Sequence, residues 1–169
     1  MARAARLALL GVALWLGGCG FHLRGTAGFE ETPLSAVYLA AGAEESEMAA
    51  ALETALSQVG VRRVTSAEEA DARIVLHRYS ERRRVLSVGE EARVREYELI
   101  ARLVFSAQAG DDGWRVPRTR LEAMRDITFD PTQVLGRTRE QEVFYEEMRR
   151  GLAQRVLRRL NAQLRAADG

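Results

Sequence analysis

The sequence predicts an α+β domain in which two helices pack on one face of a four-stranded, mostly antiparallel sheet, in the order β-α-β-β-β-α, preceded by a lipoprotein signal peptide. Three observations predict this fold. Two segments repeat apolar residues at intervals of three and four, which is typical of an amphipathic helix. Between them, three segments rich in Val, Ile, Leu, Tyr and Phe are separated by turn-forming residues, which is typical of a strand meander. A short apolar run before the first helix supplies the fourth strand.

The first strand and the first helix are predicted between Pro33 and Gly60. The apolar run 36–40 is flanked by Pro33 and Gly42, which favours a short buried strand. Acidic residues begin the segment 44–59 and Gly60 follows it, as expected when charge balances the helix dipole and a glycine occupies the C′ position. The apolar side chains of this segment share one helical face: Met48, Leu52, Ala55, Leu56 and Val59.

Three extended segments, 74–86, 94–107 and 114–129, are predicted to form an antiparallel meander. The first is apolar on both faces at Ile74-Val75-Leu76, so its orientation stays open. Pro117 cannot donate to a strand ladder and is expected at an edge or a bulge. The second segment alternates, which predicts one face packed on the helices and one open face. Its apolar face carries Tyr97, Leu99, Ala101, Leu103 and Phe105.

The last predicted helix runs from about 139 to 165, after a break at Asp130-Pro131. Thr138 and Gln141 have the spacing of a capping box at its start. Glutamates are concentrated in its first half and arginines in its second, which suits the helix dipole and indicates a solvated face rather than a binding surface. Its apolar face consists of Tyr145, Met148, Leu152, Val156, Leu160 and Leu164.

Residues 1–18 have the features of a lipoprotein export signal. Two arginines precede an apolar run, 7–16, that is too short to span a bilayer. The small pair Gly17-Gly18 stands directly before Cys19, the only cysteine, in the Leu-small-small-Cys order of a lipobox. We therefore predict cleavage before Cys19 and attachment of lipid to its thiol, in preference to a buried, unreactive cysteine.

Beyond the signal, residues 19–32 are predicted to form a lipidated tether and 33–166 a single α/β sandwich domain. Loss of the two signal arginines takes the formal net charge from +1 to about −1, which argues against bulk nucleic-acid binding. The two histidines, His22 and His77, are far apart in the sequence, and no metal, nucleophile or phosphate-loop motif is present. We therefore expect neither an enzyme nor a bound cofactor or metal.

Five short runs, taken in order, carry a resemblance to a known family. They are residues 19–25, Cys-Gly-Phe-His-Leu-Arg-Gly; 95–99, Arg-Glu-Tyr-Glu-Leu; 129–136, Phe-Asp-Pro-Thr-Gln-Val-Leu-Gly; 146–148, Glu-Glu-Met; and 158–160, Arg-Arg-Leu. Together with the lipobox, this ordered set resembles the LptE (RlpB) family of lipopolysaccharide-assembly lipoproteins over essentially the whole mature chain.

The resemblance implies an outer-membrane lipoprotein, facing the periplasm, that plugs the LptD β-barrel, assists its assembly and takes part in delivering lipopolysaccharide to the outer leaflet. The implied partners are an LptD-type barrel, lipopolysaccharide and, through the lipid anchor, the membrane. Gly20 stands where an aspartate would favour retention in the inner membrane, which agrees with the outer-membrane location. The alternative is a lipoprotein subunit of another envelope export or secretion complex that forms homo-oligomers.

Lipopolysaccharide carries phosphates and acyl chains, so a protein that binds it is expected to present arginines beside exposed apolar side chains. The densest candidates flank the first hairpin and the start of the last helix: Arg82, Arg83, Arg84, Arg93, Arg95 and Arg137. The alternative is that they pair with Glu90, Glu91 and Glu96 on a solvated hairpin. Loop residues held by rigid strands are the expected barrel contacts: Gly89, Val134 and Gly136.

Overall fold

The computed structural model describes residues 34–88, 94–110, 113–128 and 137–167. These residues form a mixed five-stranded sheet with two helices packed on one face. In chain order the elements are β1 (Ala36–Ala40), α1 (Ser46–Gln58), β2 (Arg62–Val64), β3 (Ala72–Val88), β4 (Val94–Gln108), β5 (Arg115–Thr128) and α2 (Arg137–Ala167). A single 3₁₀ turn, Ala43–Glu45, leads into α1.

The strand order is β2-β1-β3-β4-β5, with β1 parallel to both of its neighbours and β3, β4 and β5 antiparallel. The α+β class, the two helices on one face and the antiparallel meander are confirmed. The strand number requires a correction, because the sheet has five strands rather than four. The additional edge strand β2 has three residues, of which Arg62 and Arg63 are exposed. Three residues are too few to show strand alternation in a sequence.

The core lies between the helices and one face of the sheet, and the predicted alternation of β4 is confirmed. Leu99, Leu103 and Phe105 are fully buried, whereas Arg102 and Val104 between them lie on the opposite face. Each such side chain contributes roughly 1.5–3 kcal/mol when it is removed from water. The helices complete this core with Met48, Leu52 and Leu56 from α1 and Leu152, Val156 and Leu160 from α2.

A bulge in β3 changes which residues of that strand face the helices. Before the bulge Ile74 and Leu76 are buried, and after it Tyr79 is the buried residue. The pairing with β4 shifts between Leu76 and Arg78, so His77 has no directly opposite residue. The run that left the orientation of this strand open, Ile74-Val75-Leu76, precedes the bulge: Ile74 and Leu76 are buried, and Val75 is partly buried on the opposite face of the sheet.

Helix α1 ends as its sequence predicts. Gly60 has a φ of +80°, the left-handed conformation that favours glycine. Its N–H donates to Ser57 O at 3.1 Å, and the Val61 N–H donates to Leu56 O at 3.0 Å. These two bonds form a Schellman motif and satisfy carbonyls that the end of the helix leaves free. The predicted C′ role of Gly60 is confirmed.

Helix α2 is slightly longer than predicted, running from Arg137 to Ala167 instead of from about 139 to 165. Thr138 therefore lies within the first turn and not at the N-cap, which corrects the predicted capping box. The difference is within the one or two residues by which helix ends usually vary. The predicted apolar face is confirmed, since Tyr145, Met148 and Leu152 are buried.

Strand β5 forms one edge of the sheet, and two features interrupt its free side. Its pairing with β4 is irregular between Phe105 and Ala107, next to Pro117, so the predicted edge or bulge position of this proline is confirmed. Further along, the Arg155 guanidinium of α2 donates from Nη1 to the Glu122 carbonyl oxygen at 2.6 Å. A helix side chain thus occupies a backbone acceptor of this strand.

Within the described ranges, no helix combines the length and the apolarity needed to cross a bilayer. The same residues contain no group of three or more His, Cys, Asp or Glu side chains placed to hold a metal ion.

Candidate functional site

The sheet face opposite the helices, here called the open face, is rich in arginine. Strand alternation and the β3 bulge direct these side chains away from the core. Three strands contribute to the set, which consists of Arg73, Arg78, Arg82, Arg84, Arg102, Arg115, Arg118 and Arg120. The open face is therefore a concentration of guanidinium groups in a chain whose overall charge is nearly balanced.

Two open-face arginines are paired with carboxylates of neighbouring strands. Arg102 on β4 donates from Nε to Glu122 Oε2, directly opposite on β5. This hydrogen bond is the main cause that lowers the pKa of the Glu122 carboxyl and raises the pKa of Arg102. Arg84 Nη2 lies 2.7 Å from Glu98 Oε2, an ion pair whose geometry does not include an aligned hydrogen bond. These two guanidiniums are partly neutralised.

Other arginines of this face line a shallow depression of about 140 Å³ at the centre of the sheet. Its lining residues within the described ranges are Arg78, Ser80, Arg82, Arg102, Val104 and Arg120, with no carboxylate among them. Among the residues that the structure describes, Arg78, Arg82 and Arg120 form no ion pair. Guanidiniums in this state retain donors for an anionic ligand, with phosphate the group that they match best.

The three consecutive arginines predicted as one cluster are divided between the two faces of β3. Arg82 and Arg84 project from the open face, whereas Arg83 projects from the helix side. Arg83 packs over the Tyr97 ring, 4.8 Å from its centroid, and donates to Gln141 Oε1 of α2 at 3.3 Å. Strand alternation therefore brings Arg82 together with Arg84 and separates Arg83 from both.

Apolar side chains beside these arginines are unusually exposed at the end of β3, here called the hairpin end. Val85, Leu86 and Val88 have relative accessibilities of 47, 44 and 57%. Contiguous exposed apolar residues of this kind mark a surface that another molecule covers. Strand pairing puts Val85 on the helix side, opposite Tyr97 and next to Arg83, whereas on the open face Met124, 61% exposed, lies in line with Arg82 across Ile100. Arginines and exposed apolar groups are thus neighbours on each face, which is the combination expected for a phosphorylated lipid.

The remaining predicted residues have less structural description. Arg95 is the second residue of β4, and Arg137 is the first residue of α2. The others lie outside the described residues: Cys19, Gly89, Arg93, Val134 and Gly136.

A buried arginine on α2 was missed by the sequence reasoning. Arg149 is only 6% exposed, and its Nη1 lies 2.7 Å from Glu47 Oε2 and 2.6 Å from Glu81 Oε1. Its Nη2 donates to Glu142, and the Tyr79 hydroxyl donates to Glu81 Oε1 at 2.5 Å. This arginine cluster, defined as these five residues, joins α1, β3 and α2.

Two pKa values in the arginine cluster are shifted upward. Burial alone lowers the pKa of Arg149, but the hydrogen bond to Glu142 and the charges of Glu81 and Glu47 outweigh it and leave that pKa above its ordinary value. Burial, followed by the hydrogen bond to Glu81, raises the pKa of Tyr79. Arg149 therefore stays charged, and its role is to connect elements of the fold.

Sequence signals for these residues existed but were not used. Arg149 lies four residues after Tyr145 and three before Leu152, which places it at the margin of the predicted apolar face. Arg102 and Arg120 occupy the polar face of alternating strands, where an arginine-rich surface could have been proposed once the strands were aligned.

The chain is similar to known proteins in sequence and in fold. A family model described as lipopolysaccharide-assembly, LptE, matches residues 34–160. A relative from Pectobacterium atrosepticum, named LPS-assembly lipoprotein LptE, is 28% identical over 156 residues, covering 90% of this chain and 82% of the relative.

Solved structures of two lipoproteins have a similar fold. The crystal structure of rare lipoprotein B from Shewanella oneidensis matches with a TM-score of 0.69 and 25% identity, covering 80% of this chain and 100% of that one. The solution structure of a lipoprotein B from Nitrosomonas europaea matches with a TM-score of 0.70 and 28% identity, covering 88% of this chain and 94% of that one.

Proposed function

The chain belongs to the LptE family of lipopolysaccharide-assembly lipoproteins, and from this premise we propose that it plugs an LptD-type outer-membrane β-barrel, assists its assembly and takes part in delivering lipopolysaccharide to the outer leaflet. The proposed role is binding and assembly and not catalysis. Acyl chains on Cys19 hold the protein on the periplasmic side of the outer membrane, because several chains anchor a protein far more firmly than one.

One observation carries the lipopolysaccharide part of this proposal, namely the exposed apolar side chains that lie beside arginines at and near the hairpin end. Lipid A offers phosphates to guanidinium donors and acyl chains to exposed apolar surface. On the open face, Met124 supplies such a surface in line with Arg82, and on the helix side Val85 supplies one beside Arg83. A solvated hairpin would have no use for three exposed aliphatic residues in four positions.

The long meander supports the plug part of the proposal. Strand β3 has 17 residues, and at about 3.3 Å per residue it extends roughly 55 Å, more than the ~30 Å hydrocarbon thickness of a bilayer. A rigid sheet of this length can contact a barrel wall along the whole height of the lumen. The predicted contact loops at Gly89, Val134 and Gly136 belong to this part of the proposal.

Lipopolysaccharide binding is tested with a double variant, Arg82→Ser with Arg84→Ser. Both side chains are exposed, but Arg84 pairs with the buried Glu98 carboxylate, so circular dichroism checks that the variant is folded; its lipopolysaccharide affinity should fall about tenfold or more and should lose part of its salt dependence. Arg158→Ser with Arg159→Ser on α2 is the matched control, because it removes the same charge from exposed positions on another element. Equal affinity of the two double variants would contradict the assignment of the hairpin end.

Barrel binding is tested by co-purification. A plug should elute in a one-to-one complex with an LptD-type barrel, whereas a subunit of a secretion ring should elute as a homo-oligomer. Gly89→Trp and Val134→Asp should impair barrel maturation more than folding, because both changes fall at predicted contact loops. Normal maturation with both variants would count against these contacts.

A further inference from the structure

A second concave site lies on the open face at the opposite end of the sheet from the hairpin end. It is here called the base pocket, and it is formed where β4 leads into β5, next to the start of β3. Its volume is about 570 Å³. Its polar lining consists of Arg73, His77, Ser106, Gln108, Arg115 and Arg118. Arg73 and Val85 at the two ends of β3 are about 40 Å apart at 3.3 Å per residue, so the two sites are separate.

The base pocket is positively charged. Three arginines from two strands line it, and none of the described residues that line it is acidic. His77 Nε2 lies 2.8 Å from Ser106 Oγ, which fixes the imidazole against β4. Burial and then the charge of Arg118 lower the pKa of His77, as expected in a positive field.

The bulge in β3 lies at the margin of this site. Ordinary alternation from Arg73 puts His77 on the open face, and the bulge lets the next residue, Arg78, project from that face too, where it lines the central depression. Without the extra residue, one of these two neighbours would face the core. Bulges frequently redirect side chains in this way at binding sites.

The chain enters the domain beside the base pocket. Asp71 Oδ2 accepts hydrogen bonds from Ser35 N at 2.6 Å and from Ala36 N at 2.9 Å, which fixes the start of β1 to the start of β3. Tyr38 on β1 is opposite Arg73, and the Arg73 guanidinium lies 5.6 Å from its ring centroid. The proposed lipid anchor at Cys19 precedes Ser35 by a segment whose reach, fully extended, is at most about 55 Å.

We propose that the base pocket binds phosphate groups of lipid headgroups in the membrane that holds the lipid anchor. The inference goes beyond lipopolysaccharide binding at the hairpin end, and it rests on the anchoring part of the proposed function. Arginine forks from two strands surround a space large enough for a headgroup phosphate, and arginine pairs with phosphate through two charge-assisted hydrogen bonds. Docking of this pocket would hold the anchored domain in a defined orientation on the bilayer while no barrel is bound.

The experiment uses the acylated mature protein in vesicles without any barrel, so that its result is independent of plug function. Trp114 is adjacent to Arg115, and the predicted cleavage removes the other tryptophan, Trp15. Quenching of Trp114 fluorescence by a phosphatidylcholine with a spin-labelled headgroup therefore reports how close the base pocket is to the bilayer. Quenching is compared between phosphatidylcholine vesicles and vesicles that also contain phosphatidylglycerol.

The base variant carries Arg73→Gln, Arg115→Gln and Arg118→Gln, all at exposed positions. Because each arginine near an anionic bilayer contributes about fivefold, the docking equilibrium should fall about a hundredfold in this variant. The control carries the same substitutions at exposed arginines of α2, namely Arg158, Arg159 and Arg165, and should retain the quenching of the wild type. Circular dichroism checks that both triple variants are folded.

Titration with inorganic phosphate separates the two possible sources of the anion. Phosphate in the pocket should raise the pKa of His77, followed by NMR of the imidazole, in the wild type and not in the base variant. If phosphate raises the pKa of His77 but Trp114 quenching is the same in the wild type and the base variant, the headgroup assignment is overturned in favour of a soluble phosphate. If quenching is equal in the wild type and the base variant and phosphate does not change the pKa of His77, the base pocket is not a phosphate site. The phosphate titration does not require the lipid anchor and can also be done with the Cys19→Ala protein. Failure of the anchor and failure of the pocket are therefore distinguishable.

Discussion

Replacement of Arg149 by methionine should lower the free energy of unfolding by about 2–4 kcal/mol. Methionine has a similar length and helix propensity, so the change removes the charge and its hydrogen bonds while it keeps α2 intact. Arg149 joins α1, β3 and α2 through three carboxylates. The loss should therefore affect the packing of the whole domain.

The magnitude follows from the exposure of the three carboxylates. Removal of one partner from a buried ion pair costs about 3–5 kcal/mol, because a charge is left without compensation. In this cluster the Glu47 and Glu142 side chains are 65 and 60% exposed and can turn to water, whereas Glu81 is only 23% exposed. Glu81 also keeps the hydroxyl donor of Tyr79. One partly buried carboxylate therefore carries most of the penalty, which places the cost below the upper limit.

Urea unfolding followed by circular dichroism measures this effect, and the expected change corresponds to a Tm lowered by roughly 6–20 °C for a domain of this size. Arg150→Met is the control, because the neighbouring Arg150 forms only an exposed pair with Glu146 that contributes at most about 0.5 kcal/mol. Adding Glu81→Gln to Arg149→Met should restore part of the stability, since it removes the uncompensated charge. Equal stability of the Arg149→Met and Arg150→Met proteins would refute the reasoning.

Three further predictions concern single positions. Gly60→Ala should cost about 1 kcal/mol in the same urea assay, since its φ is +80° and no atom within 4 Å obstructs a Cβ; an unchanged midpoint would show that the backbone relaxes. Arg102→Gln should bring the lowered pKa of Glu122 back toward its ordinary value of 4.5 in a carboxyl NMR titration; because the folded-state pKa is lowered, the pair stabilises the fold above that pH and is lost on acidification. Cys19→Ala should abolish metabolic labelling with palmitate, and equal labelling would contradict the lipoprotein assignment.

Much of the fold could be predicted because its signals are local. The helix-side residues of strand β4 are apolar at every second position from Tyr97 to Phe105, so this face followed directly from the sequence, although Ile100 on the other face is also buried. Helix α1 carries its own start and stop signals, and Gly60 adopts the predicted conformation. The bulge at His77 could not be predicted, because a bulge is defined by the partner strand and not by the residue itself.

The candidate site was less accessible to sequence reasoning. Arg82, Arg83 and Arg84 were treated as one cluster, although consecutive strand residues point to opposite faces. Arg149 was missed because its partners Glu47 and Glu81 lie 102 and 68 residues away in the chain. Long-range pairing of this kind depends on how α1, β3 and α2 are packed, which no local pattern encodes.

The unpaired edge of strand β5 could associate with another chain when no partner covers it. An unpaired strand edge is a template on which another chain can add a strand, and the proposed lipid anchor would make such encounters more frequent by confining the protein to a surface. Pro117 removes one donor from this edge, and the Arg155 guanidinium occupies the Glu122 carbonyl. These two groups protect the exposed edge against self-association. Arg155 therefore has a role beyond helix packing, because it occupies an acceptor that an added strand would need.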